Sequence, residues 1–260
     1  MSFMMGKASL LRLKRIPMNL IVKSDYDQVS AEAARIVAET VRRAPEAALC
    51  LPAGRTPLGM YQELVRLHRG ERLDFSRIRV FHLDEYLGLG SDHPGRFESY
   101  LRREFFNHIN VRRSNIHFID ENYEQVIRDG GGIDLLILGI GANGHLAFNE
   151  PGSAPDSRTR IVQLAASTIE GIRRTFKPEE LPHEAITMGL ATIMGARQIL
   201  LLASGSDKAA ILAKALSKPI HRDIPASILQ SHPDVTVIVD EDAIRLSEIA
   251  GSSEEGTPAL

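Results

Sequence analysis

Asn143, His145, Asn149 and Glu150 crowd into one short stretch and bring together the groups that proton transfer needs. An imidazole changes charge near neutral pH, and a carboxylate or amide oxygen within reach can fix its tautomer. His145 and Glu150 meet only if the intervening Leu146-Ala147-Phe148-Asn149 doubles back. Either Asn143 or Glu150 is then placed to accept from one ring nitrogen. The plain alternative is a structural histidine in a glycine-rich turn.

Two further segments carry chemistry. Phe81-His82-Leu83-Asp84-Glu85-Tyr86 ends an apolar run in two acids, which are expensive to bury unless paired, hydrogen-bonded or functional. Strict alternation puts Val80, His82 and Asp84 on one face. Burial that raises the Asp84 carboxyl would suit it as a general base on a carbon acid; the alternative is a cap for the next helix. In Leu51-Pro52-Ala53-Gly54-Arg55-Thr56-Pro57, Thr56 suits an N-cap and Pro57 the first helical position. Exposed amides beside a helix N-terminus form an anion site, although the segment matches neither a Walker loop nor a dinucleotide fingerprint. Cations follow later: Arg158 and Arg160, Arg173 and Arg174, and Lys208, whose helix Ser206 is placed to cap. Singly such cations are usually just solvated; together they would neutralise a phosphate dianion.

These groups need strands and helices to hold them. Apolar runs at 18–23, 47–51, 78–83, 115–119, 133–138, 160–164, 197–203 and 234–239 read as strands. Segments 28–43, 57–69, 96–107, 206–216 and 240–246 read as amphipathic helices. This alternation predicts an α/β fold, a single-domain three-layer sandwich with a mostly parallel, Rossmann-like sheet. Active groups then belong in the loops at the carboxyl ends of the strands. No internal repeat or linker divides the chain. Residues 1–17 read as a flexible extension without the order of a signal peptide, with Met18 as an alternative start. The domain spans 18–250, and 251–260 reads as a disordered tail.

Composition narrows the function. A formal charge of −2 over 260 residues argues against nucleic-acid or membrane partners by bulk electrostatics. The lone cysteine, Cys50, cannot form an intrachain disulfide and sits in an apolar strand, as an inert core thiol would. Cys and His show no metal-site spacing, and no apolar run reaches the ~18 residues of a membrane span.

Taken together, LCLPAGRTPLGMYQEL at 49–64, FHLDEYLGL at 81–89, HPGRFESYL at 93–101, IDLLILGIGANGHLAFNEPGS at 133–153, SRTR at 157–160 and SGSDKA at 204–209 resemble the glucosamine-6-phosphate deaminase family. The resemblance runs in order from about Met18 to Ile244. It implies an aldose–ketose isomerase that converts glucosamine 6-phosphate and water to fructose 6-phosphate and ammonia. By that resemblance Asp84 moves a proton between C2 and C1, His145 opens the pyranose ring, and Glu150, with Asn143 beside it, tunes the histidine. Phosphate contacts map onto Ala53, Gly54, Arg55 and Thr56, with Gly139, Arg174 and Lys208. No metal or organic cofactor is implied. The expected partner is a small-molecule sugar phosphate in the cytoplasm, and because some relatives are hexamers a homo-oligomer is a further expectation.

Two positions depart from the family pattern. Asn143 stands where some members carry Asp; as an acceptor from the imidazole it would add no negative charge. Arg55 stands where Gly or Ser is usual, which suggests an added phosphate contact. The alternatives are a 6-phosphogluconolactonase, which has no use for a carbon-acid base such as Asp84, and a sugar-phosphate sensor that binds without turnover.

Overall fold

The computed structural model describes residues 18–217 and 219–245, so the expectations for 1–17 and 251–260 lie outside the described residues. In chain order the first elements are β1 (Asn19–Lys23), α1 (Tyr26–Arg43), β2 (Ala48–Leu51), α2 (Leu58–Glu71), β3 (Arg79–His82), β4 (Asp84–Tyr86) and α3 (Phe97–Glu104). Next come β5 (Ile116–His117), α4 (Tyr123–Asp129), β6 (Leu135–Leu138), β7 (Arg160–Gln163), α5 (Ala166–Ile172) and β8 (Glu184–Thr187). The last are α6 (Leu190–Ile193), β9 (Gln198–Ala203), α7 (Ala209–Ser217), β10 (Val235–Asp240) and α8 (Glu241–Ile244).

Seven strands form one parallel sheet in the order β1-β10-β9-β6-β2-β3-β5. Its central strands are apolar on both faces because each face is covered by helices. Leu49, Leu51, Leu135, Ile137, Leu200 and Leu202 join α1, α2 and α3 on one side. Their neighbours Ala48, Cys50, Leu136, Leu138, Ile199 and Leu201 join α4, α6, α7 and α8 on the other. This period of two makes the expected three-layer α/β sandwich. Helix α1 shows how local sequence sets an element: Asp25 accepts from the Gln28 amide at 2.8 Å, and Val29, Ala33, Val37 and Val41 bury one stripe.

The sequence did not reveal a second sheet. β4, β8 and β7 pair antiparallel in that order, so the run around 160 belongs here and not to the large sheet. Strands β4 and β8 were missed because neither Asp84-Glu85-Tyr86 nor Glu184-Ala185-Ile186-Thr187 carries an apolar run that marks a strand. The chain bends at Leu83 to pass from one sheet to the other, which overturns the shared face expected for His82 and Asp84. His82 packs its ring against Phe118 and Tyr123, where burial, with the Arg96 charge, holds its pKa down at about 3. Asp84 instead pairs with Thr187 and faces a cavity.

Candidate active site

Because β2, β3 and β6 are parallel neighbours, the loops leaving them share one edge of the sheet. There they surround a cavity of about 300 Å³. The segment 52–57 after β2, Leu83 and Asp84 after β3, and Gly139, Ile140, Gly141 and His145 after β6 line it. Thr168 and Ile172 of α5 add a further wall.

Asp84 is 8 % exposed. Burial, reinforced by the Glu85 charge, pushes its carboxyl up to about 8. The two adjacent acids have separated their tasks. Glu85 accepts from the amides of Tyr86 and Phe97 at 2.9 Å each and of Glu98 at 3.0 Å, so Glu85 satisfies the start of α3 and Asp84 is left to the cavity.

The β6 loop doubles back as the His145–Glu150 contact requires. The Asn149 amide donates to the Leu146 carbonyl at 3.0 Å, and Ala147 takes up a left-handed φ of 52° within the turn. His145 Nδ1 then lies 3.4 Å from Glu150 Oε2 and has no aligned hydrogen-bond partner among the described residues. Gly141 is required for space: a Cβ there would come within 2.2 Å of the His145 ring. Burial raises the Glu150 carboxyl, but the His145 ring beside it and hydrogen bonds from Thr168 and Asn143 outweigh that and hold it at about 2. Glu150 is therefore an anion beside the imidazole at any working pH. Asn143 does not accept from the ring. Its Oδ1 takes the His145 backbone amide at 3.1 Å and its Nδ2 donates to Glu150 Oε2 at 2.7 Å. Asn143 fixes the turn and ties one oxygen of the carboxylate, and the imidazole is left to Glu150.

The loop after β2 is built with its carbonyls tied back. Tyr61, Tyr100 and Tyr26 hydroxyls donate to the carbonyls of Pro52, Gly54 and Arg55 at 2.5, 2.5 and 2.9 Å. Gly54 has φ +107°, a left-handed angle that glycine alone adopts without strain. Among the described residues no hydrogen bond engages the amides of Gly54, Arg55 or Thr56. Thr56 is not the expected N-cap: a turn closed by Leu58 N–H to the Arg55 carbonyl delays α2 to Leu58, and Pro57 occupies the cap position without a side-chain bond. Thr56 remains at the cavity wall.

Ala53, Gly54, Arg55, Thr56 and Gly139 line the cavity with Asp84 and His145, whereas Arg174 and Lys208 do not. Arg174 is exposed beyond the end of α5, and Lys208 Nζ lies 3.4 Å from Asp207 on a 3-10 turn. Nor does Ser206 cap: Asp240 carboxylate bonds to Ser204 and the Gly205 amide organise that turn instead. Arg160 is drawn to Asn149 Oδ1 at 3.0 Å, and Arg158 reaches only to Glu124 at 3.7 Å. Cys50 is buried, its thiol pushed up by burial and the Asp84 charge. Sequence reasoning missed Thr168 and the three tyrosines; their partners lie 9 to 46 positions away, at spacings that no helix or strand period marks.

A parallel sheet whose strand ends hold a carboxylate, an imidazole–carboxylate pair and free loop amides around one recess defines an α/β protein with an enzyme-type cavity. The chain belongs to the glucosamine-6-phosphate isomerase/6-phosphogluconolactonase family, whose model matches residues 24–238. A glucosamine-6-phosphate deaminase of Alkaliphilus metalliredigens is 44% identical over 242 residues, 89% of this chain and all (100%) of that protein. One from Thermoanaerobacter pseudethanolicus is 42% identical over 240 residues, 88% of this chain and 95% of its own length. A solved structure described as a monomeric glucosamine-6-phosphate deaminase superposes with a TM-score of 0.85 at 41% identity, covering 88% of this chain and 100% of that one. The 6-phosphogluconolactonase of Trypanosoma brucei superposes at 0.72 but is only 20% identical over 88% of this chain and 98% of its own, so it shares the fold.

Proposed function

We propose that this chain is a glucosamine-6-phosphate deaminase, releasing fructose 6-phosphate and ammonia from glucosamine 6-phosphate and water. The observation that carries the reading is that Asp84 and His145, from different strands, border the same cavity. Opening the pyranose moves the proton of the anomeric hydroxyl to the ring oxygen, a task for His145 with Glu150 behind it. In the open aldehyde the hydrogen on C2 is acidic. Asp84 takes it as the C1 oxygen gains a proton, giving an enediol-like intermediate across C1 and C2, and Asp84 then delivers its proton to C1 while the C2 amine gives one up. The nitrogen on C2 is then an imine; water adds to that carbon and ammonia leaves. A carboxyl poised near pH 8 is matched to this exchange, because it both accepts and returns a proton at modest cost.

The phosphate sits against the 53–56 amides, with Thr56 and Arg55 able to add donors, and Gly139 leaves room opposite. Arg174 and Lys208 enter this scheme only if their segments approach the bound phosphate. No cofactor takes part in the scheme. A phosphorylated sugar is too charged to cross a bilayer unaided, which suits a cytoplasmic location; no helix among the described residues is long and apolar enough to cross a membrane.

The test is direct. Purified protein given glucosamine 6-phosphate is expected to release ammonia and fructose 6-phosphate in equal amounts. Hydrolysis of 6-phosphogluconolactone without ammonia release would transfer the chain to the lactonase branch. Binding without turnover of either compound would make it a sensor.

A further inference from the structure

Glu150 is gripped at both oxygens, and the two grips have different origins. Oε2 takes the Asn143 amide from the same turn and faces His145 Nδ1. Oε1 accepts from the Thr168 hydroxyl, which arrives from α5 in another part of the chain. At 3.4 Å the His145 contact is too long to hold the carboxylate's angle, and the terminal torsion of a glutamate is intrinsically soft. One hydrogen bond from Asn143 leaves that torsion free to swing. A second, on the opposite oxygen, fixes the plane.

Helix α5 itself is lightly held. It has seven residues, none of them buried, and no side-chain N-cap. Partly buried Ile169 and Ile172 rest on the small cluster of Tyr86, Phe148 and Phe176. Thr168 and Ile172 also line the cavity. The same short helix therefore touches the recess and holds the carboxylate behind the imidazole.

We propose that Thr168 is a positioning residue: its hydroxyl locks the Glu150 carboxylate plane against His145, so that α5 must be seated for His145 to move a proton. The role assigned to His145 rests on the deaminase reading; the geometric coupling of Thr168 to His145 does not.

The experiment uses the full chain. Thr168→Val removes the hydroxyl at nearly constant shape, Thr168→Ser keeps it, and Thr168→Ala serves if the valine variant does not fold. Expected are a roughly tenfold fall in kcat for Thr168→Val, a KM changed less than about twofold, and recovery in Thr168→Ser. Because Thr168 acts through Glu150, adding Thr168→Val to Glu150→Gln should slow the enzyme no further. The ¹⁵N shifts of the His145 ring should move in Thr168→Val and return in Thr168→Ser. An unchanged kcat, equal slowing in both backgrounds, or an effect confined to KM would overturn the proposal. If the wild type releases no ammonia, the deaminase reading fails by itself; the ring shifts then decide, unmoved shifts in Thr168→Val overturning the positioning role.

Discussion

Asp84 and Glu150 are carboxylates at the same strand-end edge, and their surroundings drive them in opposite directions. Asp84 loses water and gains no hydrogen-bond donor among the described residues, so its carboxyl rises to about 8. Glu150 keeps hydrogen bonds from Asn143 and Thr168 with the His145 ring beside it, and falls to about 2. With Asp84 as base, kcat/KM of the free enzyme should climb with pH toward about 8, and Asp84→Asn should cost on the order of 10²–10⁴-fold in kcat. Stability carries the opposite sign. An aspartate raised from ~3.9 contributes fully below that value and loses its contribution as pH climbs through about 8. Asp84→Asn should therefore melt above wild type at pH 8 while being less active, and a lower melting midpoint there would contradict the burial argument. Glu150 works the other way, contributing above its unfolded value and losing that contribution as pH falls toward about 2. Gly141→Ala is the steric counterpart. Its methyl displaces the imidazole, with an expected loss of about 100-fold in kcat, readable as a kinetic defect in a protein whose circular dichroism is unaltered.

At the scale of elements, two short segments depend on side chains from far away. The 52–57 loop presents free amides because tyrosines from α1, α2 and α3 hold its carbonyls. Tyr100→Phe removes one of these bonds, worth about 1 kcal/mol. The expected result is a KM for the sugar phosphate raised several-fold at nearly constant kcat; an unchanged KM would mean the loop holds its shape without Tyr100. Helix α3 lacks a cap from its own N-cap residue, Arg96, and relies on Glu85. Glu85→Ala strips bonds from three amides and should lower stability by about 1–3 kcal/mol in urea unfolding.

For the whole molecule, the large sheet supplies a rigid base and the small sheet a bracket. Thr187 pairs with Asp84 on one side and Arg160 on the other, and its hydroxyl accepts from the Phe148 amide at 3.1 Å. The small sheet thus clamps the β3 exit to the β6 loop. Leu136 lies in the middle of the large sheet, fully buried. Leu136→Ala should cost about 2–5 kcal/mol of unfolding free energy, and a cost under 1 would argue against a close-packed centre.

The α/β class, the large parallel sheet and the three chemical segments were all legible in the chain. Apolar periodicity is a local property, and so are glycine turns and the acids or histidine that follow a buried strand. The parting of His82 from Asp84 was not, because the bend at Leu83 depends on a partner strand a hundred residues away. The same holds for Asn143, whose amide was free on paper but is consumed by Glu150 and the His145 backbone once the turn closes. Arg174 and Lys208 have the right charge for a phosphate, yet charge says nothing of reach, and neither borders the recess. Residue type and spacing settle which groups are available; three-dimensional packing decides which of them share a space, since hydrogen bonds and burial join positions that sequence keeps apart.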